Sequence, residues 1–144
     1  MANVHDVAAY ILEKQGSLSA MKLQKLAYYS QAWHLVWEER QLFEDDIQAW
    51  ANGPVIYALY DRHRGNFRVD TWTWGDPDEL EDNEKETIDA VLDAYGQYTA
   101  HELSEMTHRE DPWRDAREGL REGARSSAPI TQASMHEYYH GLSN

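Results

Sequence analysis

The stretch HELSEMTHREDPWR at positions 101–114 contains the densest group of side chains that could do chemistry. His101, Glu105 and His108 lie at i, i+4 and i+7, which places all three on one face of a helix. Histidine and glutamate on one helical face can bind a metal ion, as in the HExxH motif of zinc proteases. Glu105 occupies the position of the second histidine in that motif, so a metal-dependent enzyme stays open only as an alternative.

The same stretch is also explained as the corner between two helices. Thr99 and Glu102 match the T-x-x-E capping box that opens a helix. Asp111 can cap the next helix, Pro112 suits its first turn, and Trp113 is expected to pack inward. A neutral His108 could bond backbone groups across this corner. We therefore predict no catalytic, metal-binding or cofactor-binding residue here, and interpret these polar side chains as structural.

Size and composition limit the classes of protein to consider. A chain of 144 residues with six Trp and nine Tyr is large enough to bury a core as one domain. It has no cysteine, which excludes disulfides, thiolate metal sites and a cysteine nucleophile. No apolar stretch is long enough to span a bilayer, and the N-terminus lacks the features of a signal peptide. These features predict a soluble, cytoplasmic protein that does not contact a membrane.

The charge of the chain points to a protein partner. Its formal net charge is −13, from 26 acidic and 13 basic residues. Nucleic-acid binding depends on Lys and Arg that neutralise phosphates, so this charge opposes it. A strongly acidic surface instead speeds the encounter with a basic protein surface. Solubility alone is an equally good reason for such a composition.

The apolar periodicity predicts a mainly α fold. We expect a compact single-domain bundle of about six to seven short helices over residues 1–144, with a small β element. Asn3 or His5 opens the first helix, Ser19 caps the second at about 20–39, and Thr131 caps the last. The other helices are expected at about 54–64, at 82–95, and from Thr99 and Asp111 onward.

The segment FRVDTWTWGDPDE, at positions 67–79, is the best strand candidate. Its alternation places Thr71 and Thr73 on one face and Trp72 and Trp74 on the other, before a turn at 75–78. The acidic run DPDELEDNEKE follows at 76–86, with more carboxylates than helix capping requires. We therefore predict a partner-binding surface here, formed by Trp72, Trp74, Asp76, Asp78, Glu79, Glu81 and Asp82.

Four blocks of the chain, taken in order, resemble one family. They are KLQKLAYYSQAWHLVW, LFEDDIQAWANGPVIYALY, YGQYTAHELSEMTHREDPWRDAR and ITQASMHEYY. Together they resemble the Panacea domain, the PanA antitoxin domain that is also seen in SocA-like and phage-associated GepA-like proteins. The resemblance covers about residues 5–140, and its most specific patterns are L-x-K-L-x-Y-Y, A-W-x-x-G-P-V and T-H-x-x-x-P-W.

The resemblance implies a compact, mostly helical domain without catalysis of its own. It implies the antitoxin of a toxin–antitoxin pair, which neutralises a cognate protein toxin by direct binding. Toxins paired with the family are diverse and include small alarmone-synthetase-like enzymes that shut down translation. The family motif falls on residues that we interpret mostly as structural: Leu23, Lys25, Leu26, Tyr28, Tyr29, Ala49, Trp50, Gly53, Pro54, Val55, Thr107, His108, Pro112 and Trp113. Lys25 differs from the rest, because a charge in an aromatic-rich helix needs a partner or a route to solvent.

Three alternatives to a blocking antitoxin stay open. An adaptor would deliver the toxin to a protease instead of blocking it. A metal-dependent enzyme would use His101, Glu105 and His108. Autoregulation by DNA binding is opposed by the charge of the chain. The stoichiometry of a toxin complex is also open.

Overall fold

The computed structural model describes residues 2–143 of the chain. Within them lie seven α-helices, five short β-strands and one 3₁₀ helix, which confirms a mainly helical fold with a small β element. In chain order the elements are α1 (Val4–Gln15), β1 (Leu18–Ser19), α2 (Ala20–Glu38), β2 (Ile47–Trp50), β3 (Gly53–Ile56), α3 (Tyr57–His63), β4 (Arg68–Val69), the 3₁₀ helix (Pro77–Glu79), α4 (Asp82–Tyr95), α5 (Ala100–His108), α6 (Asp111–Ala116), β5 (Pro129–Ile130) and α7 (Gln132–Ser143).

Helix α2 is the centre of the fold. It packs against α1, α4, α5, α7 and strand β3, so it is covered on several sides. From Leu23 to Val36 every residue except Trp33 is buried, including the motif residues Leu26 and Tyr28. Because the helix is enclosed, each polar side chain in this stretch must find a hydrogen-bond partner inside the protein.

Helix starts follow the capping residues in the sequence. The Asn3 side chain accepts from the Asp6 backbone and Asp6 returns the bond, which forms a capping box. Ser19 accepts from the backbone of α2, as expected. Thr99 and Glu102 exchange bonds of 2.8 and 3.1 Å between side chain and backbone, so the predicted capping box is confirmed. None of the helices within residues 2–143 combines the length and apolar character needed to cross a bilayer.

The predicted helix from residue 54 is wrong at its start. Pro54 lies in strand β3, which pairs antiparallel with β2 through a two-residue turn, and β5 lies on the other side of β2. Proline is tolerated because its partner Ala49 donates its N–H to the Ala128 carbonyl, on the side of β2 that faces away from β3. Pro54 therefore needs no backbone N–H to pair with β2. The helix itself begins at Tyr57.

The predicted strand over 67–79 is also mostly wrong. Within this segment only Arg68–Val69 forms a strand, and it pairs with Leu18–Ser19. Beyond it, the Asp76 N–H donates to the buried Asp6 carboxylate at 2.8 Å, and Gly75 approaches the His5 backbone so closely that no Cβ would fit. These contacts hold the segment against the start of α1, which prevents a regular strand.

Candidate partner-binding surfaces

The acidic segment forms an exposed surface, which we call the acidic ridge. It consists of exposed side chains over residues 74–82: Trp74, Asp76, Asp78, Glu79, Glu81 and Asp82. Glu81 lies 3.0 Å from Arg40, with 68% of its side chain exposed. Glu84, further along the acidic run, is buried and accepts from the Glu81 backbone at 2.7 Å. Part of the acidic run is therefore structural, and the ridge is the part open to a partner.

The two tryptophans of the predicted surface have different environments. Trp72 is 5% exposed and its indole N–H donates to His5 Nδ1 at 3.1 Å. Trp74 is 47% exposed, packs edge-on against Trp72, and lies 5.6 Å from the Arg62 guanidinium. Burial leaves Trp72 as an anchor beneath the ridge, whereas Trp74 presents apolar area. A binding role for the ridge stays a prediction.

Four of the family-motif residues meet at the β2–β3 hairpin. The Lys25 ammonium donates to the Pro54 carbonyl at 3.2 Å, and Gly53 lies directly above the same side chain. Gly53 has a φ of +120°, and a Cβ there would lie 2.7 Å from Lys25 Cε and 3.1 Å from Thr107 Oγ1. Only glycine fits this position without displacing its neighbours. Lys25, Gly53, Pro54 and Thr107 therefore join α2, the hairpin and α5 at one point.

Lys25 is nonetheless an unusual component of a core. It is 1% exposed, and burial lowers its pKa from 10.5 to about 8. Its neighbour Gln24 donates to the Ile56 carbonyl and accepts from the Ile56 N–H, at 3.1 and 2.8 Å. Together the two side chains cover the outer edge of β3, which leaves that edge closed to another strand. The partner that Lys25 needed is thus a backbone carbonyl.

The corner between α5 and α6 matches its structural interpretation in part. Trp113 is 6% exposed and its indole N–H donates to the Trp50 carbonyl at 2.7 Å, which confirms its inward packing. Pro112 lies in the first turn of α6 as expected, but Glu110, instead of Asp111, occupies the cap position. His108 stacks on Trp113 at 4.1 Å, and its buried Nε2 has no hydrogen-bond partner among the described residues. No hydrogen bond from the His108 ring to the backbone is found among the described residues, so the bond suggested across this corner is not observed there.

A tyrosine cluster lies further along α2, next to the start of α6. Glu110 Oε1 accepts from the Tyr29 and Tyr139 hydroxyls at 2.9 and 2.7 Å, and Tyr28 bonds Tyr139 at 3.1 Å. Burial raises the pKa of Glu110 and also that of Tyr29. The adjacent tyrosines in the sequence motif indicated two members of this cluster. Glu110 could not be predicted as a member, since its partners are 81 and 29 residues distant.

The arrangement expected for a metal-dependent enzyme is not assembled within residues 2–143. His101 and Glu105 lie 3.6 Å apart on the exposed face of α5. The His108 ring is instead stacked on Trp113, and no group of three His, Asp or Glu side chains in the described chain is placed to hold a metal.

One comparison with known proteins found a match. A family model described as antitoxin SocA-like, Panacea domain, matches residues 23–114, which is more than half of the chain. That range runs from Leu23 in α2 to Arg114 in α6, and it contains the hairpin and the acidic ridge. No curated protein and no solved structure gave a significant match.

Proposed function

The chain belongs to the SocA-like antitoxin family that shares the Panacea domain, and we propose that it neutralises a cognate protein toxin by binding it directly. The family match carries this proposal, because it extends over the core of the fold and includes the motif residues. We further propose that binding blocks the active or substrate site of the toxin and that the protein has no catalytic role of its own.

The charge distribution supports a basic surface on the partner. The net charge is −13, and the acidic ridge places five carboxylates in an exposed position beside Trp74. A toxin that handles nucleotides or tRNA has a basic cleft, and a ridge of carboxylates can occupy such a cleft in place of the phosphates. Trp74 would supply the apolar anchor that binding hot spots commonly contain.

The ridge is tested by reversing two of its charges. Asp78→Lys with Glu79→Lys should weaken binding to the protein encoded by the adjacent gene by about tenfold, mainly by slowing association at low salt. Neither side chain is involved in an ion pair or accepts a hydrogen bond among the contacts found in the described chain, so the fold should persist. Binding is measured by surface plasmon resonance at two ionic strengths.

The matched control is Glu13→Lys with Glu137→Lys, which changes the net charge equally on exposed helix positions elsewhere. The control should bind nearly as tightly as the unchanged protein. Equal weakening by both pairs would show that overall charge, instead of the ridge, attracts the partner. Unchanged affinity in the ridge variant would reject the ridge as the contact.

The alternative of a proteolytic adaptor makes a different prediction. A blocker inhibits its toxin in a mixture of the two purified proteins, whereas an adaptor protects cells only while the protease is present. Growth rescue that disappears on deletion of a cellular protease, with no inhibition in the purified mixture, would favour the adaptor.

A further inference from the structure

A large cleft is lined by residues that do not belong to the acidic ridge. It has a volume of about 1180 Å³ and lies between the β2–β3 turn, the start of α2, the end of α3, the start of α5 and the loop that precedes β5. We call it the acid-free cleft, since no Asp or Glu of the described chain lines it. In a protein with 26 acidic residues this absence is unexpected.

The charges that line the cleft are all basic. Arg64 and Arg125 are exposed at its sides, and Lys25 lies at its buried base. The first residues of α2 and of α5 also border the cleft. The cleft is therefore a positive region on an acidic molecule, and its charge is complementary to an anion.

Lys25 has unused hydrogen-bonding capacity at this base. An ammonium group has three donors, and the bond to the Pro54 carbonyl is its one hydrogen bond among the described residues. The side chain is 1% exposed, so water satisfies little of the remainder. A carboxylate that entered the cleft could accept from this ammonium and offset the cost of its burial.

The rest of the lining is apolar and aromatic. Phe67 is 79% exposed and Met21 is 39% exposed, while Trp50 and Val55 extend the apolar lining inward. Trp50 packs edge-on against Tyr60 at 4.8 Å, which fixes this wall. Large exposed apolar side chains beside polar ones are typical of surfaces that bind another protein.

We propose that the acid-free cleft binds a peptide segment of the toxin that carries a carboxylate next to apolar or aromatic side chains. This inference rests on the proposed function for the identity of the partner. A peptide fits better than a small molecule, since the volume exceeds the roughly 300–1000 Å³ of most small-molecule sites and the basic groups are spread along the cleft. The segment binds through its side chains, because Gln24 and Lys25 already cover the edge of β3.

The proposal is tested first without the toxin. Random peptides displayed on phage are selected on the immobilised full chain, and the affinity of enriched peptides is measured by fluorescence polarisation. Enriched peptides should combine Asp or Glu with Leu, Phe or Trp. Arg64→Glu with Arg125→Glu should weaken their binding at least tenfold, and Phe67→Ser should weaken it several-fold.

Matched controls separate the cleft from general effects. Arg114→Glu with Arg121→Glu makes the same charge change on exposed residues outside the cleft, and Leu142→Ser removes another apolar side chain that is 55% exposed. Both controls should retain peptide binding. Enrichment of basic peptides, no enrichment, or equal loss in the controls would overturn the proposal. Binding of ATP or GTP in the cleft, without binding of any acidic peptide, would also overturn the proposal.

A second arm uses the protein encoded by the adjacent gene. If the unchanged chain binds and inhibits it, and the cleft variants do so equally well, the antitoxin function stands and the cleft proposal fails. If the unchanged chain does not bind it, while acidic peptides bind the cleft and lose affinity in the variants, the cleft proposal stands and the choice of partner fails.

Discussion

At the scale of single residues, the burial of Lys25 has a large, pH-dependent effect on the free energy of unfolding. Its pKa is lowered from 10.5 to about 8 because the folded protein buries the ammonium. A charged Lys25 therefore reduces the free energy of unfolding by roughly 3 kcal/mol at neutral pH. Between pH 8 and 10.5 the unfolded chain holds the proton that the folded chain has released, so this penalty declines as pH rises.

We expect Lys25→Met to raise the free energy of unfolding at pH 7 by about 1–2 kcal/mol, after loss of the bond to Pro54 is subtracted. Between pH 7 and 9.5 the free energy of unfolding of the unchanged protein should then rise by about 2 kcal/mol relative to that of the variant. Urea denaturation at several pH values measures both quantities. A difference between the two proteins that is constant with pH would contradict a buried, charged lysine.

His34 gives a second prediction at this scale, with the same sign of pH dependence but at lower pH. It is fully buried, Nδ1 bonds Thr87 at 2.9 Å, and Nε2 has no partner in the described chain. Burial, followed by the Arg40 charge, lowers its pKa from 6.5 to about 4. The neutral ring therefore stabilises the fold above pH 6.5, and this contribution is lost as pH falls from 6.5 toward 4.

Nuclear magnetic resonance can follow this ring directly. The imidazole shifts of His34 should keep their neutral values down to about pH 5. A titration midpoint near the ordinary value of 6.5 would show that water or a proton acceptor reaches Nε2, and the description of this pocket as enclosed would be wrong.

At the scale of elements, the β2–β3 hairpin depends on Gly53. A Cβ at this residue would collide with the Lys25 side chain and force a φ of +120° on an ordinary residue. We expect Gly53→Ala to lower the free energy of unfolding by more than about 2 kcal/mol. Gly119→Ala is the matched control, because its φ is +87° but no atom lies within 4 Å, so only strain contributes.

Chemical denaturation of both variants measures the difference. Gly53→Ala should be clearly less stable than Gly119→Ala, and combining it with Lys25→Ala, which removes the Cε that a Cβ at residue 53 would meet, should cost less than the sum of the two single changes. Equal effects of the two glycine variants, or full additivity with the lysine variant, would show that the close packing of Lys25 beneath the hairpin is not what restricts residue 53.

Helix boundaries could be predicted from the sequence because their signals are local. Asn3, Ser19 and Thr99 cap the helices that their positions indicated. Strand β3 at Gly53–Ile56 could not be predicted in this way. The backbone groups on its outer edge bond to side chains of α2 that lie about 30 residues earlier. The extended form expected around Trp72 was overridden in the same way, by bonds from α1.

The same distinction applies to the candidate surfaces. The acidic run was visible as composition, so the ridge could be located, but the burial of Trp72 and Glu84 depends on tertiary contacts. No pattern in the sequence indicated the acid-free cleft. Its basic residues, Lys25, Arg64 and Arg125, are separated by up to 100 positions and meet only in the folded chain.

At the scale of the whole molecule, the two surfaces have opposite charge and lie on one helical core. The ridge is complementary to a basic surface of a partner, and the cleft to an acidic, apolar segment. Contact at two such sites would allow the core to stay the same within the family while the exposed residues set which toxin is bound.

The central claim is that the protein neutralises a toxin by direct binding, and a purified mixture tests it most directly. The protein encoded by the adjacent gene is assayed for inhibition of cell-free translation, alone and with increasing amounts of this chain. We predict that translation recovers in proportion to complex formed, with no protease present. Unchanged toxicity in the presence of a molar excess of the folded chain would contradict the claim.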